Sequence, residues 1–288
     1  MRRGRAGDSR GVVRVLDDRD LAAARSLCDQ DVVANVFVAG RLDAAGLDPW
    51  RLGAEVWGYV EDGALRALCF AGANLAPVQL GTYAPATRAF ADRARREGRR
   101  CSSFVGPADG VLGLWRELQP HWGPAREVRD DQPLLAMDTA PLVAGDPRVR
   151  LVEPHEVPTL LPASIAMFTE EVGISPVGSD GGALYRARVT ELVESRRAYA
   201  RIEGGRVLFK AEIGAATAHA CQVQGVWVDP ELRGQGLGIS GTAAVVALAR
   251  RDIAPVVSLY VNSFNTPARS AYARVGFTQV GTFASVLF

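Results

Sequence analysis

Val226-Trp227-Val228-Asp229-Pro230-Glu231-Leu232-Arg233-Gly234-Gln235-Gly236-Leu237-Gly238 is the stretch on which the fold turns. A β-rich run over residues 221–228 ends at a proline-containing turn. Arg233 and a glycine-dense loop follow. Apolar positions at Ile239, Ala243, Val246 and Ala247 then predict a helix over residues 236–251. A glycine loop feeding a helix N-terminus leaves several backbone N–H groups unpaired and pointing the same way. With the helix dipole they make an anion site suited to a pyrophosphate. Arg233 adds a guanidinium at the same place.

Spacing decides between the known phosphate-binding patterns. Gly236, Gly238 and Gly241 match G-x-G-x-x-G, the dinucleotide fingerprint. That fingerprint needs its first glycine directly after the strand and an acidic residue about 20 positions further on. Here residues 229–235 intervene, and the next strand-like run, VVSLYVN, holds no carboxylate. No G-K-[ST] is present, which excludes a P-loop.

The arrangement resembles instead the GNAT superfamily of N-acetyltransferases. Their acyl-CoA loop reads Gln/Arg-x-x-Gly-x-Gly/Ala after a strand ending V-x-P. Arg233, Gly236 and Gly238 fill the specified positions, and Val228-Asp229-Pro230 supplies the V-x-P. A second signature of the family, N-x-x-A-x-x-x-Y-x-x-x-G-F, is matched by Asn265, Ala268, Tyr272, Gly276 and Phe277. One helix and one strand separate the two motifs, as in that family. The resemblance covers residues 150–288.

It implies an acetyl-CoA-dependent N-acyltransferase (an acyltransferase of groups other than aminoacyl groups). An amine would attack the thioester directly in a ternary complex, with acetyl-CoA as cosubstrate and no metal. Carried over, the strand Val226-Trp227-Val228 splays from its neighbour and offers backbone partners to pantetheine. The backbone of Arg233, Gly234, Gln235, Gly236, Leu237 and Gly238 holds the pyrophosphate. Asn265 reaches the cofactor arm, or else caps the next helix ahead of Thr266-Pro267. Tyr272 is the general acid for the departing thiolate, or else a packed aromatic. Its reference pKa of ~10 keeps it protonated at neutral pH. A strand N–H, that of Val228, stabilises the oxyanion. Glu171 and Glu170, in MFTEEVG, are the candidate bases, with plain solvated carboxylates as the alternative reading. Gln222 and Gln224 share one strand face and could hold a water chain.

Outward from this segment, the second half reads as strand 150–152, helical stretches 157–171 and 182–194, and strands 197–202 and 207–213 joined by Glu203-Gly204-Gly205. Strand 221–228, helix 236–251, strand 256–261, helix 266–274 and strand 278–288 follow. The first half runs in the same order. Strand 12–16, helices 20–30 and 32–42, and strands 55–60 and 64–71 around Glu61-Asp62-Gly63 come first. Helix 85–97, strand 101–105, helix 108–118 and strand 133–137 complete it. Residues 138–150 read as a linker. The expected fold class is therefore α/β with an α+β mixed sheet: tandem GNAT-like domains, each a mixed, mostly antiparallel sheet flanked by helices. The expected division is 1–142, a degenerate GNAT-like domain, and 143–288, the catalytic one. Residues 73–83, ANLAPVQLGTY, stand where the first half would carry its own loop and lack the glycines.

Composition narrows the classes. Of 288 residues 48% are hydrophobic and 23% charged, a globular balance that rules out wholesale disorder. A net charge of +1 provides no global field for nucleic acid or an anionic membrane. Lys210 is the only lysine, which reads as codon bias towards arginine. Cys28, Cys69, Cys101 and Cys221, with His121, His155 and His219, have neither metal-ligand nor redox spacing. The N-terminal MRRGRAGDSRG has no apolar stretch behind it and is not a secretory signal. A soluble cytoplasmic protein is expected, monomer or homodimer, whose partner is an amine acceptor, either a small molecule or a protein amine. The alternative of another class is a non-catalytic acyl-CoA-binding sensor.

Overall fold

The computed structural model of the protein describes residues 11–81, 83–178 and 180–288; the stretch inspected for a leader lies, but for Gly11, outside the described residues. Two compact units are formed. One contains the described residues up to Pro133 together with Gly281–Phe288, the other Leu134–Val280.

The first unit holds β1 (Val12–Val15), α1 (Leu21–Cys28), α2 (Val36–Ala45), α3 (Pro49–Leu52), β2 (Glu55–Glu61) and β3 (Ala64–Ala71). It continues with β4 (Asn74–Val78), α4 (Ala84–Glu97), β5 (Ser103–Pro107), α5 (Ala108–Trp122) and the start of β6 (Glu127–Met137). β1 to β4 form an antiparallel meander, and β4 then runs parallel to β5. Strand alternation sorts the core. Ala67 and Cys69 of β3 pack with Phe90 of α4 and Leu114 of α5, while Leu68 and Phe70 pack with Leu27 and Leu42 of α1 and α2. α2 begins later than expected because Asp31 caps a turn, accepting from the N–H groups of Val33 and Ala34. β4 was not expected as a strand at all: Pro77 stands inside it, opposite Cys69, and proline demotes a strand reading.

The second unit holds β7 (Arg150–Leu151), α6 (Val157–Val172), α7 (Ala183–Glu194), β8 (Ala198–Glu203), β9 (Arg206–Ala216) and β10 (Ala220–Val228). α8 (Leu237–Asp252), β11 (Val256–Tyr260), α9 (Thr266–Val275) and the start of β12 (Thr278–Leu287) complete it. β7 to β10 are antiparallel neighbours in sequence order, β10 is parallel to β11, and β11 is antiparallel to residues 134–137. One sheet face packs Phe209, Ile213, Cys221 and Val223 against Val245 and Val246 of α8. The other packs Ala200 and Trp227 against Leu160 of α6 and Leu192 of α7. The third glycine of the apparent dinucleotide fingerprint serves this packing: a Cβ on Gly241 would lie 2.6 Å from the Phe209 ring.

A local device recurs in both units. Arg14 of β1 grips Asp20 with two hydrogen bonds of 2.6 Å, and Asp20 accepts from the Asp17 N–H. Arg150 of β7 grips Glu156 with two of 2.7 Å, and Glu156 accepts from the Glu153 N–H. Each clamp ties a first strand to the turn that starts a helix.

The units do not part at a cut between 142 and 143. Residues 134–137, expected to close the first half, pair with β11 in the second unit. Phe283–Leu287, expected in the second half, pair with β5 in the first. Pairing partners are long-range, and linker composition carries no trace of them. All four cysteines are buried free thiols. Among the described residues no helix is long and apolar enough to cross a membrane.

Candidate active site

The second unit's site begins with a fork. β10 and β11 are in parallel register only at Ala220↔Val256, Cys221↔Val257 and Gln222↔Ser258. The buried Ser258 hydroxyl donates to the Cys221 carbonyl at 3.1 Å there. β10 then continues to Val228 still paired with β9, through bulges between Gln222 and Val223 and between Gln224 and Trp227. Gly225, at φ +59°, lies in the second bulge. A bulge bends its strand and increases the twist, which turns β10 away from β11. The Asp229 N–H donates to Leu208 on the β9 side at 3.0 Å. Backbone groups alternate along a strand, so the Val228 N–H faces the open edge.

The loop after β10 is held from below. Arg206 donates to both Asp229 oxygens at 2.5 and 2.7 Å and to Glu231 at 2.6 Å. That contact keeps the Asp229 carboxyl below its ordinary pKa. Gly234 and Gly236 adopt φ +78° and +83°, a region that favours glycine. Gly236 is the N-cap of α8 and has no side chain to cap it. Among the described residues no acceptor within the protein meets the N–H groups of Gly234, Gln235, Gly236, Leu237 or Gly238. Five amides and a helix N-terminus are chemically suited to a pyrophosphate.

Arg233, expected to add a guanidinium at the anion site, also makes two contacts within the protein. Its Nε donates to the Val228 carbonyl at 3.1 Å and its Nη2 to Glu170 at 2.7 Å. The other Glu170 oxygen accepts from the Trp227 indole at 3.2 Å. Glu170 thus has both oxygens engaged in fastening α6 to the end of β10, a tie rather than a free base. Glu171 is exposed on the last turn of α6, and its charge reaches both the Tyr272 and the Tyr185 phenols.

Tyr272 is buried on α9, edge-on to Phe277 with ring centroids 6.0 Å apart. Burial, reinforced by the Glu171 charge, pushes its phenol well above the ordinary value. It is a packed aromatic whose phenol holds its proton more tightly than a free tyrosine does. The Asn265 oxygen accepts from the Ala268 N–H at 3.2 Å, so the capping role is realised.

Sequence reasoning missed one pair. Lys210, read as a codon effect, is 1% exposed with its Nζ 3.2 Å from Glu212. The other Glu212 oxygen accepts from the Gln224 amide at 3.0 Å. The signal was present: two opposite charges at i and i+2 in the apolar run VLFKAEI share one strand face.

Residues 191–277 match the family model described as Acetyltransferase (GNAT) family, and residues 54–160 match a Domain of unknown function (DUF4081). No curated protein matches the sequence. Among solved structures, a Drosophila protein gives a TM-score of 0.66 at 11% identity, covering 96% of this chain and 99% of its own. A GCN5-related N-acetyltransferase from Sphaerobacter thermophilus gives 0.59 at 17% identity, covering 96% of each chain. A tandem GNAT protein from the clavulanic acid biosynthesis pathway gives 0.56 at 15% identity, covering 96% of this chain and 98% of its own. At such identities the likeness is one of fold. The protein has a tandem GNAT-like fold, and the match to the acetyltransferase (GNAT) family model falls within its second half, at residues 191–277.

Proposed function

We propose that the protein is an acetyl-CoA-dependent N-acyltransferase in which an amine attacks the bound thioester directly. The observation that carries this reading is the fork between β10 and β11, beside five amides without acceptors among the described residues. Acetyl-CoA supplies the activated acyl group. The loop amides and the N-terminus of α8 bind its pyrophosphate, and the free edge of β10 aligns its pantetheine arm. The Val228 N–H faces the developing oxyanion. Tyr272 gives a proton to the departing sulfur, and its raised pKa keeps that proton available. Holding both reactants in one cleft supplies much of the acceleration.

Isothermal titration with acetyl-CoA tests the binding half. Wild-type protein is expected to bind one equivalent, and Arg233→Glu to lose it, since the variant sets a second carboxylate beside Glu170. Free CoA release with a panel of amines tests the chemistry. Binding without turnover would convert the reading to an acyl-CoA sensor.

A further inference from the structure

The transfer needs a group to take the proton from the incoming amine, and Glu170 is engaged elsewhere. A different carboxylate, Glu212, stands on β9 opposite Gln224, where β10 has left its register with β11. Phe209 and Ile213 of β9 and Cys221 and Val223 of β10 face α8. Alternation sends Lys210, Glu212, Gln222 and Gln224 to the other face, among side chains such as Met167, Ala198 and Ala200. Buried charge in such company is costly unless paired and hydrogen-bonded. Glu212 has Lys210 at 3.2 Å and Gln224 at 3.0 Å, and remains 12% exposed. Gln222, 7% exposed, has an amide nitrogen without a partner among the described residues. The polar row is thus unfinished among the described residues.

Its place beside the fork is fixed by Gly225. A Cβ there would lie 3.0 Å from the Lys210 nitrogen, 3.1 Å from the Glu212 carboxyl carbon and 3.1 Å from the Met167 methyl. The bulged part of β10 therefore passes directly against the ion pair. The charged and titratable groups around Glu212 are Lys210 on its own strand, Tyr185 on α7, whose phenol feels both Glu212 and Glu171, and Glu171 on α6.

We propose that Glu212 takes the proton from the acceptor, which enters as a primary ammonium, with Lys210 and Gln224 as positioning residues. One N–H proton passes to a Glu212 oxygen, and the nitrogen lone pair is freed to attack. The Lys210 ammonium, 3.2 Å away, holds one carboxylate oxygen, and the Gln224 amide holds the other. The assignment rests on the acyl-transfer reading above.

Steady-state kinetics with two acceptors tests it: an aliphatic amine, protonated at neutral pH, and an aromatic amine, neutral there. Glu212→Gln is expected to lower kcat for the aliphatic amine ~10²–10⁴-fold, with KM for acetyl-CoA and the aromatic-amine rate preserved. Its aliphatic rate climbs with pH as solvent deprotonates the amine. Lys210→Met is expected to lower kcat for the aliphatic amine while sparing the aromatic-amine rate, a split that a merely structural lysine would not produce. The double variant Lys210→Met/Glu212→Gln leaves no lone buried charge and is expected to repeat the Glu212→Gln pattern. Equal losses with both acceptors, or a wild-type pH profile in Glu212→Gln, overturn the assignment. Wild-type protein that binds acetyl-CoA and turns over neither amine overturns the transferase reading itself.

Discussion

β4 and β5 of the first unit fork just as β10 and β11 of the second do. Their parallel register covers only Asn74↔Ser103 and Leu75↔Phe104, after which β4 continues to Val78 and β5 to Pro107. The two forks differ in what lines them. In the first unit Leu80, 1% exposed, and Pro77 close the opening against α5: a Cβ on Gly110 would stand 3.3 Å from Leu80 and 3.4 Å from Pro77. Pro77 also removes a backbone N–H where the second unit keeps one. The step from β4 to α4 is short, with Gly81 its only glycine. A fork therefore comes with the topology, whereas a binding site needs unfilled space and spare donors as well.

The comparison can be broken at several points, and the largest effect belongs to the chemistry. Tyr272→Phe is expected to lower kcat ~10²–10⁴-fold while acetyl-CoA affinity by titration is kept. Because burial raises the phenol's pKa, the wild-type kcat profile should show no alkaline loss from Tyr272 below ~10. An early alkaline limb that disappears in Tyr272→Phe would contradict that environment.

Emptying the closed fork should cost stability and create no function. Leu80→Ala is expected to destabilise the protein by about 2–5 kcal/mol in denaturant melts. Its acetyl-CoA stoichiometry stays at one; a second equivalent would mean that the forks differ only by a plug. Filling the open fork is the converse. Gly238→Val adds methyls where a Cβ alone would already touch Val228 at 3.5 Å. About tenfold weaker acetyl-CoA binding is expected, or about 1.4 kcal/mol, with melting little changed.

The smallest expected effect concerns the two clamps. Arg150 holds Glu156 down to a pKa of about 2, and Arg14 lowers Asp20 in the same direction. A carboxylate depressed in the folded state contributes stability above its unfolded pKa and loses it as pH falls through the folded value. Thermal melts should therefore weaken progressively between the ordinary carboxylate range and about pH 2. Arg150→Met should flatten part of that slope, and Arg14→Met a smaller part.

Local chemistry was legible in the sequence. The hairpins announced themselves through Asp62-Gly63 and Gly204-Gly205, all four at positive φ, and the loop after β10 through Gly234 and Gly236. Tyr272 stood out through its motif. What escaped depends on partners distant along the chain. Glu170 read as a candidate base or a solvated carboxylate because its partners Trp227 and Arg233 lie far along the chain. Pro77 hid β4. Lys210 and Glu212 were visible at i and i+2, but an unpaired count of lysines says nothing about burial.

The exchange of strand ends has a consequence for synthesis on the ribosome. Translation runs from the N-terminus, and the segment from residue 134 to residue 280 is continuous. The unit begun first, however, needs Phe283–Leu287 to cover the edge of β5, and these residues are made only after the whole of the other unit. The unit that starts second can thus be finished first, while the earlier one waits with a bare strand edge of the kind that invites foreign pairing. Termination after residue 280 would strike the earlier unit rather than the one just completed.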